Sequence, residues 1–166
     1  MRDALNRLAG ILGDRAQRDA PLAPYTSMRV GGPADLLTIC STAEQIEEAV
    51  RLARDHAVPW RVLGGGCNVL VADAGVRGLV ILNRAERTHI DEDGTAWAET
   101  GAPMAILARE TVSAGLDGLV WATGLPGTVG GAVVGNAGAF GGDVASVLHS
   151  ARVLERDGTA VDRPAE

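Results

Sequence analysis

Two glycine-dense stretches carry most of the chemistry this chain offers. The first runs Leu63-Gly64-Gly65-Gly66-Cys67-Asn68. Consecutive glycines set several backbone N–H groups at one bend with no side chains in the way, a concavity that suits a pyrophosphate. The alternative is an ordinary tight turn, for which glycine is the default residue. It is not the dinucleotide fingerprint Gly-x-Gly-x-x-Gly opening a helix, because the following Val69-Leu70-Val71 is β-like. The second stretch runs Gly124-Leu125-Pro126-Gly127-Thr128-Val129-Gly130-Gly131-Ala132 and continues through Gly135-Asn136-Ala137-Gly138-Ala139-Phe140-Gly141-Gly142. Each glycine there adds unfolded-state entropy that folding must overcome. Close approach of backbone to a flat or phosphorylated ligand is one reason for such a stretch, with Thr128 and Asn136 supplying hydrogen bonds. Glycines at crowded chain crossings are the other. Taken together, the two stretches point to a ligand with a pyrophosphate and a planar ring, a dinucleotide cofactor.

Other reactive side chains point nowhere so specific. Cys40 and Cys67 form no Cys-x-x-Cys pair, which argues against zinc or a disulfide framework. His56, His89 and His149 are scattered, and Asp91-Glu92-Asp93 reads as a solvated turn, so no metal site is expected. Arg29 is either a phosphate contact or a surface ion-pair partner. Trp60, Trp97 and Trp121 read as packing residues. All 15 basic residues are Arg, which excludes a Walker-A loop and Schiff-base chemistry at lysine. A net charge of −6 with no basic block argues against nucleic acid. No apolar run reaches membrane-spanning length and no signal core opens the chain, so a soluble cytoplasmic protein is expected.

The elements that must position these loops follow from periodicity. Leu5, Leu8, Ala9 and Leu12 lie at helical spacing, closed by Gly13. A polar connector with Pro21 and Pro24 follows. Residues 36–40 read as a strand and Ser41-Thr42-Ala43-Glu44 as a capping box before a helix presenting Ile46, Ala49, Val50 and Ala53. Strands are expected at 60–63, 69–71 and 79–82, then a hairpin turning at 91–94 with its second arm at 95–100. A helix over 104–114 ends at Gly115, and a strand over 147–154 turns at Asp157-Gly158. The return arm at 159–161 is cut short, an open edge expected of the front part of a longer protein; a frayed domain end is the alternative. Strands and helices mix without strict alternation, so the class is α+β.

Three ordered segments then resemble one family. Thr26-Ser27-Met28-Arg29-Val30-Gly31-Gly32-Pro33-Ala34, residues 63–71 and residues 124–141 are similar to the opening, pyrophosphate-loop and isoalloxazine-side segments of the UDP-N-acetylenolpyruvoylglucosamine reductases. The resemblance runs from about Tyr25 to the end. It implies a PCMH-type FAD-binding fold, a small α/β subdomain followed by a partly complete antiparallel sheet with helices. The expected organisation is an N-terminal helix and connector over 1–24 and the FAD-binding domain over 25–166, with subdomains of about 25–82 and 83–166. The C-terminal end and a substrate-binding domain are expected to lie outside this sequence. It also implies non-covalent FAD held by Gly64, Gly65, Gly66, Cys67, Asn68, Leu125, Pro126, Gly127, Thr128, Val129, Gly130, Asn136, Gly138 and Ala139. NADPH as hydride donor, a UDP-sugar substrate and a monomeric complete enzyme of peptidoglycan synthesis follow from the same resemblance.

The chain also departs from the family. Cys67 stands where Ser is usual, a weaker donor. Pro103 stands where Gly is frequent and removes a backbone donor. Relatives carry an Arg-x-Ser segment, a Ser proton donor and a late catalytic Glu; none has a counterpart here, since Asn136-Ala137-Gly138-Ala139, which has Ala where a donor segment has Ser, belongs to the flavin-side loop. No catalytic residue is therefore assigned. A non-catalytic flavin-binding module or gene relic, and another FAD oxidoreductase of the same superfamily, are the competing readings.

Overall fold

The computed structural model describes residues 1–155 and 157–165. The chain divides into two compact units, Met1–Arg84 and Ala85–Glu166.

In the first unit, α1 (Arg2–Leu12) buries Leu5, Leu8 and Leu12 and ends at Gly13. The expected connector then contains a strand, β1 (Ala16–Pro21). Its polar Gln17-Arg18-Asp19 run hid it, but an edge strand buries little and tolerates such residues. β2 (Pro33–Cys40) starts three residues before the expected strand. α2 (Ala43–Asp55) follows, then β3 (Trp60–Leu63) and β4 (Val76–Asn83). The sheet order is β1-β2-β4-β3. β1 is antiparallel to β2, whereas β2 and β3 both run parallel to β4.

The capping box is displaced by one residue. Thr42 is the N-cap, its side chain accepting from Gln45 N at 3.3 Å, while Gln45 Oε1 accepts from Ser41 N at 2.8 Å. So Thr42 and Gln45 do what Ser41 and Glu44 were expected to do. α1 and α2 pack on β2, and α2 also on β4. Cys40 faces this helix side, its thiol 3.5 Å from Gln45 O. By strand alternation Leu37, Val80 and Leu82 face the other way. There they cluster with Ala20, Leu22, Ala34 and Leu63, and with partly buried Tyr25, Ile39, Val71 and Val76. Each fully buried leucine contributes roughly 1.5–3 kcal/mol.

The second unit holds β5 (Thr88–Ile90) paired with β6 (Ala96–Ala98), then α3 (Met104–Ser113) and a short helix α4 (Val129–Val134). β7 (Gly138–Ala139) pairs with β8 (Gly142–Asp143), and β9 (Ser150–Leu154) with β10 (Ala160–Pro164). Among the described residues these are three two-stranded ribbons, not one antiparallel sheet. β10 is longer than its sequence suggested and pairs residue by residue with β9, from Ala160 opposite Leu154 to Pro164 opposite Ser150. α3, α4 and the segment around Trp121 share a core of Met104, Ala108, Ala122, Ala132 and Val144.

Candidate functional site

The first glycine loop begins where β3 ends. Because β3 and β4 are parallel, residues 64–75 must return from the carboxyl end of one to the amino end of the other. They do so without helix or strand. Residues 69–71, expected as a strand, pair with nothing, because the chain crosses the sheet face there and Val71 packs on the Leu37–Val80–Leu82 cluster. Among the described residues, the backbone N–H groups of Gly64, Gly65, Gly66, Cys67 and Asn68 donate no hydrogen bond. Gly64, Gly65 and Cys67 are half-buried and Gly66 is buried. A run of unpaired amides in partly buried chain calls for an acceptor.

The Tyr25–Pro33 region backs this loop. Ser27 N donates to Gly66 O at 3.0 Å, and Gly32 N to Ala72 O at 3.0 Å. Gly66 has φ +66°, and a Cβ there would lie 2.0 Å from Tyr25 O. Buried Thr26 donates from Oγ1 to Val30 O at 2.9 Å and closes the turn that carries Arg29, whose φ is +56°. Among the described residues Arg29 has no carboxylate partner, so the ion-pair reading of it finds no support. Asn68 is exposed. Among the described residues, Cys67 Sγ reaches Gly65 O alone, at 3.5 Å.

The second stretch is not a single loop. Thr128, buried, caps α4: its Oγ1 accepts from Gly131 N at 3.4 Å. Val129 N donates to Ala102 O and Gly130 N to Thr100 O, both at 2.8 Å. A Cβ on Gly130 would lie 2.7 Å from Thr100 Cβ, and one on Gly142 would lie 2.4 Å from Trp121 Cδ1. Crowded crossings, the second reading of the sequence, therefore account for these glycines. Asn136 Oδ1 accepts from Ala145 N at 2.8 Å, so it too works within the fold. Leu125 and Val129 pack against the α3–α4 core, Gly127 and Ala139 are half-buried, and Pro126 and Gly138 are exposed. Exposed Phe140 has φ +52° at the tip of the β7–β8 turn.

Sequence spacing missed one contributor. Arg84 Nη1 donates to Gly64 O at 3.2 Å and Asn83 O at 3.0 Å, from 20 residues beyond the loop. Only the pairing of β4 with β3 brings it there. Among the described residues, no cluster of His, Cys, Asp or Glu could hold a metal ion, and no helix is long and apolar enough to cross a membrane.

A bend of unpaired glycine amides at the carboxyl end of parallel strands has the form of a diphosphate-binding loop. The chain belongs to the FAD binding domain family, which matches residues 34–163. It is 50% identical over 147 residues to the UDP-N-acetylenolpyruvoylglucosamine reductase of Rubrobacter xylanophilus, covering 88% of this chain and 49% of that protein. It is 41% identical over 140 residues to the protein of the same name from Clostridium botulinum, covering 84% and 46%. The crystal structure of the Thermus caldophilus UDP-N-acetylenolpyruvylglucosamine reductase superposes with a TM-score of 0.75 at 37% identity, over 91% of this chain and 53% of that one. An alkyldihydroxyacetonephosphate synthase shares the fold alone, with a TM-score of 0.68 at 18% identity. The fold is thus the PCMH-type FAD-binding fold, and this chain spans about half the length of the curated relatives it matches.

Proposed function

We propose that this chain supplies the FAD-binding half of a cytoplasmic reductase that uses NADPH to convert UDP-N-acetylglucosamine enolpyruvate to UDP-N-acetylmuramate, a step of peptidoglycan synthesis. The observation that carries the cofactor assignment is the run of undonated amides over residues 64–68. These donors fit a diphosphate, and no acidic side chain lies beside them from Leu63 to Ala72, Asp73 following only at the far end of the loop.

In this reading Gly64, Gly65, Gly66, Cys67 and Asn68 hold the diphosphate. Residues 25–33 fix the bend by bonding Gly66 O and Ala72 O. Leu125, Pro126, Gly127, Thr128, Val129, Gly130, Asn136, Gly138 and Ala139 are the proposed contacts on the flavin side. Gly130 and Thr128 contribute backbone placement more than side-chain donors, since Thr128 Oγ1 already caps α4. FAD, when bound, supplies the hydride chemistry. This chain's part is to hold and orient it, and no residue here is given a catalytic role. Residues 25–166 form the FAD-binding region, and the attachment is non-covalent, the first loop having no histidine.

Fluorescence titration with FAD, FMN and riboflavin tests the cofactor assignment. FAD should bind at least about tenfold more tightly than FMN, since only FAD carries the full diphosphate and adenosine. Equal affinity for FMN would remove the diphosphate site. The reductase assignment is tested by the coding sequence beyond Glu166. A frame continuing through Arg-x-Ser, a donor Ser and a late Glu is expected; an immediate stop would leave a flavin-binding module without the reaction.

A further inference from the structure

Arg84 is the last residue of the first unit and stands at the carboxyl end of β4, next to the end of β3. Its own backbone is pinned there, Arg84 N donating to Cys40 O at 2.7 Å and so tying it to the end of β2 as well. The side chain is half-buried and bonds two carbonyls, Gly64 O and Asn83 O. Among the described residues no carboxylate pairs with it. A partly buried guanidinium without a counter-ion is uncommon, because loss of hydration is usually offset by an opposite charge. Here both bonded groups are neutral carbonyls, so the positive charge is left uncompensated beside a loop with no acidic side chain from Leu63 to Ala72.

The bond to Gly64 O also has a directional effect. The Gly64–Gly65 peptide is trans, like every other peptide in the described chain. In a trans peptide the N–H points opposite to the C=O. Holding Gly64 O against Arg84 therefore turns the Gly65 N–H away from the guanidinium. Glycine on both sides of the bond would otherwise leave this peptide plane free to flip. A cation on the carbonyl also polarises the peptide and strengthens its N–H as a donor.

We propose that Arg84 is the positioning residue of the first glycine loop: it sets the Gly64–Gly65 peptide so that its N–H serves a diphosphate, and its charge, one peptide unit away, favours that dianion. The proposal rests on the FAD reading above and adds a residue outside both glycine stretches. It assigns Arg84 no direct contact with the cofactor.

The test compares the wild-type chain with Arg84→Gln and Arg84→Lys, using FAD, riboflavin and inorganic pyrophosphate as probes and urea denaturation as the stability control. Arg84→Gln keeps a donor for Gly64 O but removes the charge. It should weaken FAD binding roughly tenfold, the worth of a charge-assisted contact. It should also make log Kd less steep in log salt concentration and weaken competition by inorganic pyrophosphate, while riboflavin binding stays the same. Arg84→Lys should regain the salt slope of the wild type and only part of its affinity, because an ammonium cannot span both carbonyls as the planar fork does. A merely structural arginine would lower stability and affect riboflavin and FAD alike, with the salt slope unmoved, and that pattern overturns the proposal. So does unchanged FAD affinity in Arg84→Gln. If Arg84→Gln does not fold, Arg84→Lys decides on selectivity: weaker FAD binding with riboflavin binding unchanged supports the proposal, and FAD and riboflavin weakened alike overturns it. Failure of the wild-type chain itself to bind FAD would sink the cofactor reading, and this proposal with it.

Discussion

Replacing Gly66 by alanine is the sharpest single perturbation of the first loop. Gly66 sits at φ +66°, and the added Cβ would meet Tyr25 O at 2.0 Å and Thr26 Cα at 2.9 Å. Both are backbone atoms that cannot swing aside. An L-residue in this left-handed conformation costs about 1–2 kcal/mol, and forcing a methyl into filled space typically costs about 1–3 kcal/mol more. The expected loss is therefore about 2–5 kcal/mol, a large share of a typical domain stability of roughly 5–15 kcal/mol. Any relief must move the loop away from Tyr25 and break the bond from Ser27 N to Gly66 O. The assay is urea denaturation with and without FAD, paired with Gly10→Ala as a control. Gly10 lies on the exposed face of α1 with nothing within 4 Å of its Cβ position, so alanine there should stabilise by about 0.5–1 kcal/mol. A Gly66→Ala chain losing less than about 0.5 kcal/mol, the scatter of ordinary surface changes, and binding FAD as before would refute the argument.

Further expectations concern the core and its thiols. Thr38 is fully buried, and among the described residues its Oγ1 meets no nitrogen or oxygen partner, only the weakly hydrogen-bonding Cys40 thiol. Thr38→Val should raise stability by about 1 kcal/mol in denaturant, by removing an unsatisfied hydroxyl without changing shape; a loss would show that the hydroxyl is bonded. Burial pushes the Cys40 thiol above its ordinary value of 9.0, against a lowering pull from Arg15. The folded state thus favours the protonated thiol. That contribution is complete below pH 9 and is lost as pH rises through the higher folded value. Stability should fall on the alkaline side, and the fall should be shallower in Cys40→Ala. In the native chain, half-exposed Cys67 should be alkylated well before buried Cys40; equal rates would place Cys40 on a mobile element.

Much of this structure was legible in the sequence where pattern and chemistry agreed. The apolar period of α1 and α2 and the hydrophobic run of β4 gave elements close to those observed. The glycine bend after β3 reads either as a concavity of amide donors or as a tight turn, and the amides of Gly64 to Asn68 have no partner among the described residues. What failed did so for local reasons. β1 is polar because it is an edge, and its pairing with β2 is set by the sheet and not by its own residues. Val69-Leu70-Val71 has strand composition, but the parallel return of residues 64–75 leaves it no partner. α4 runs Val129-Gly130-Gly131-Ala132-Val133-Val134, a poor helix former by propensity, which tertiary bonds to Thr100 O and Ala102 O and the Thr128 cap override. Those bonds also use amides of the second stretch within the fold, whereas those of Gly64 to Asn68 are left undonated. Arg84 lay outside any motif, since only strand pairing connects it to Gly64.

The most direct test of the central claim is a 1H–15N correlation spectrum of the labelled chain titrated with FAD. The account predicts that the amide protons of Gly64, Gly65, Gly66, Cys67 and Asn68, undonated without cofactor, move downfield together as FAD binds. Saturable FAD binding that leaves those resonances in place would contradict it, because the diphosphate would then be held somewhere else.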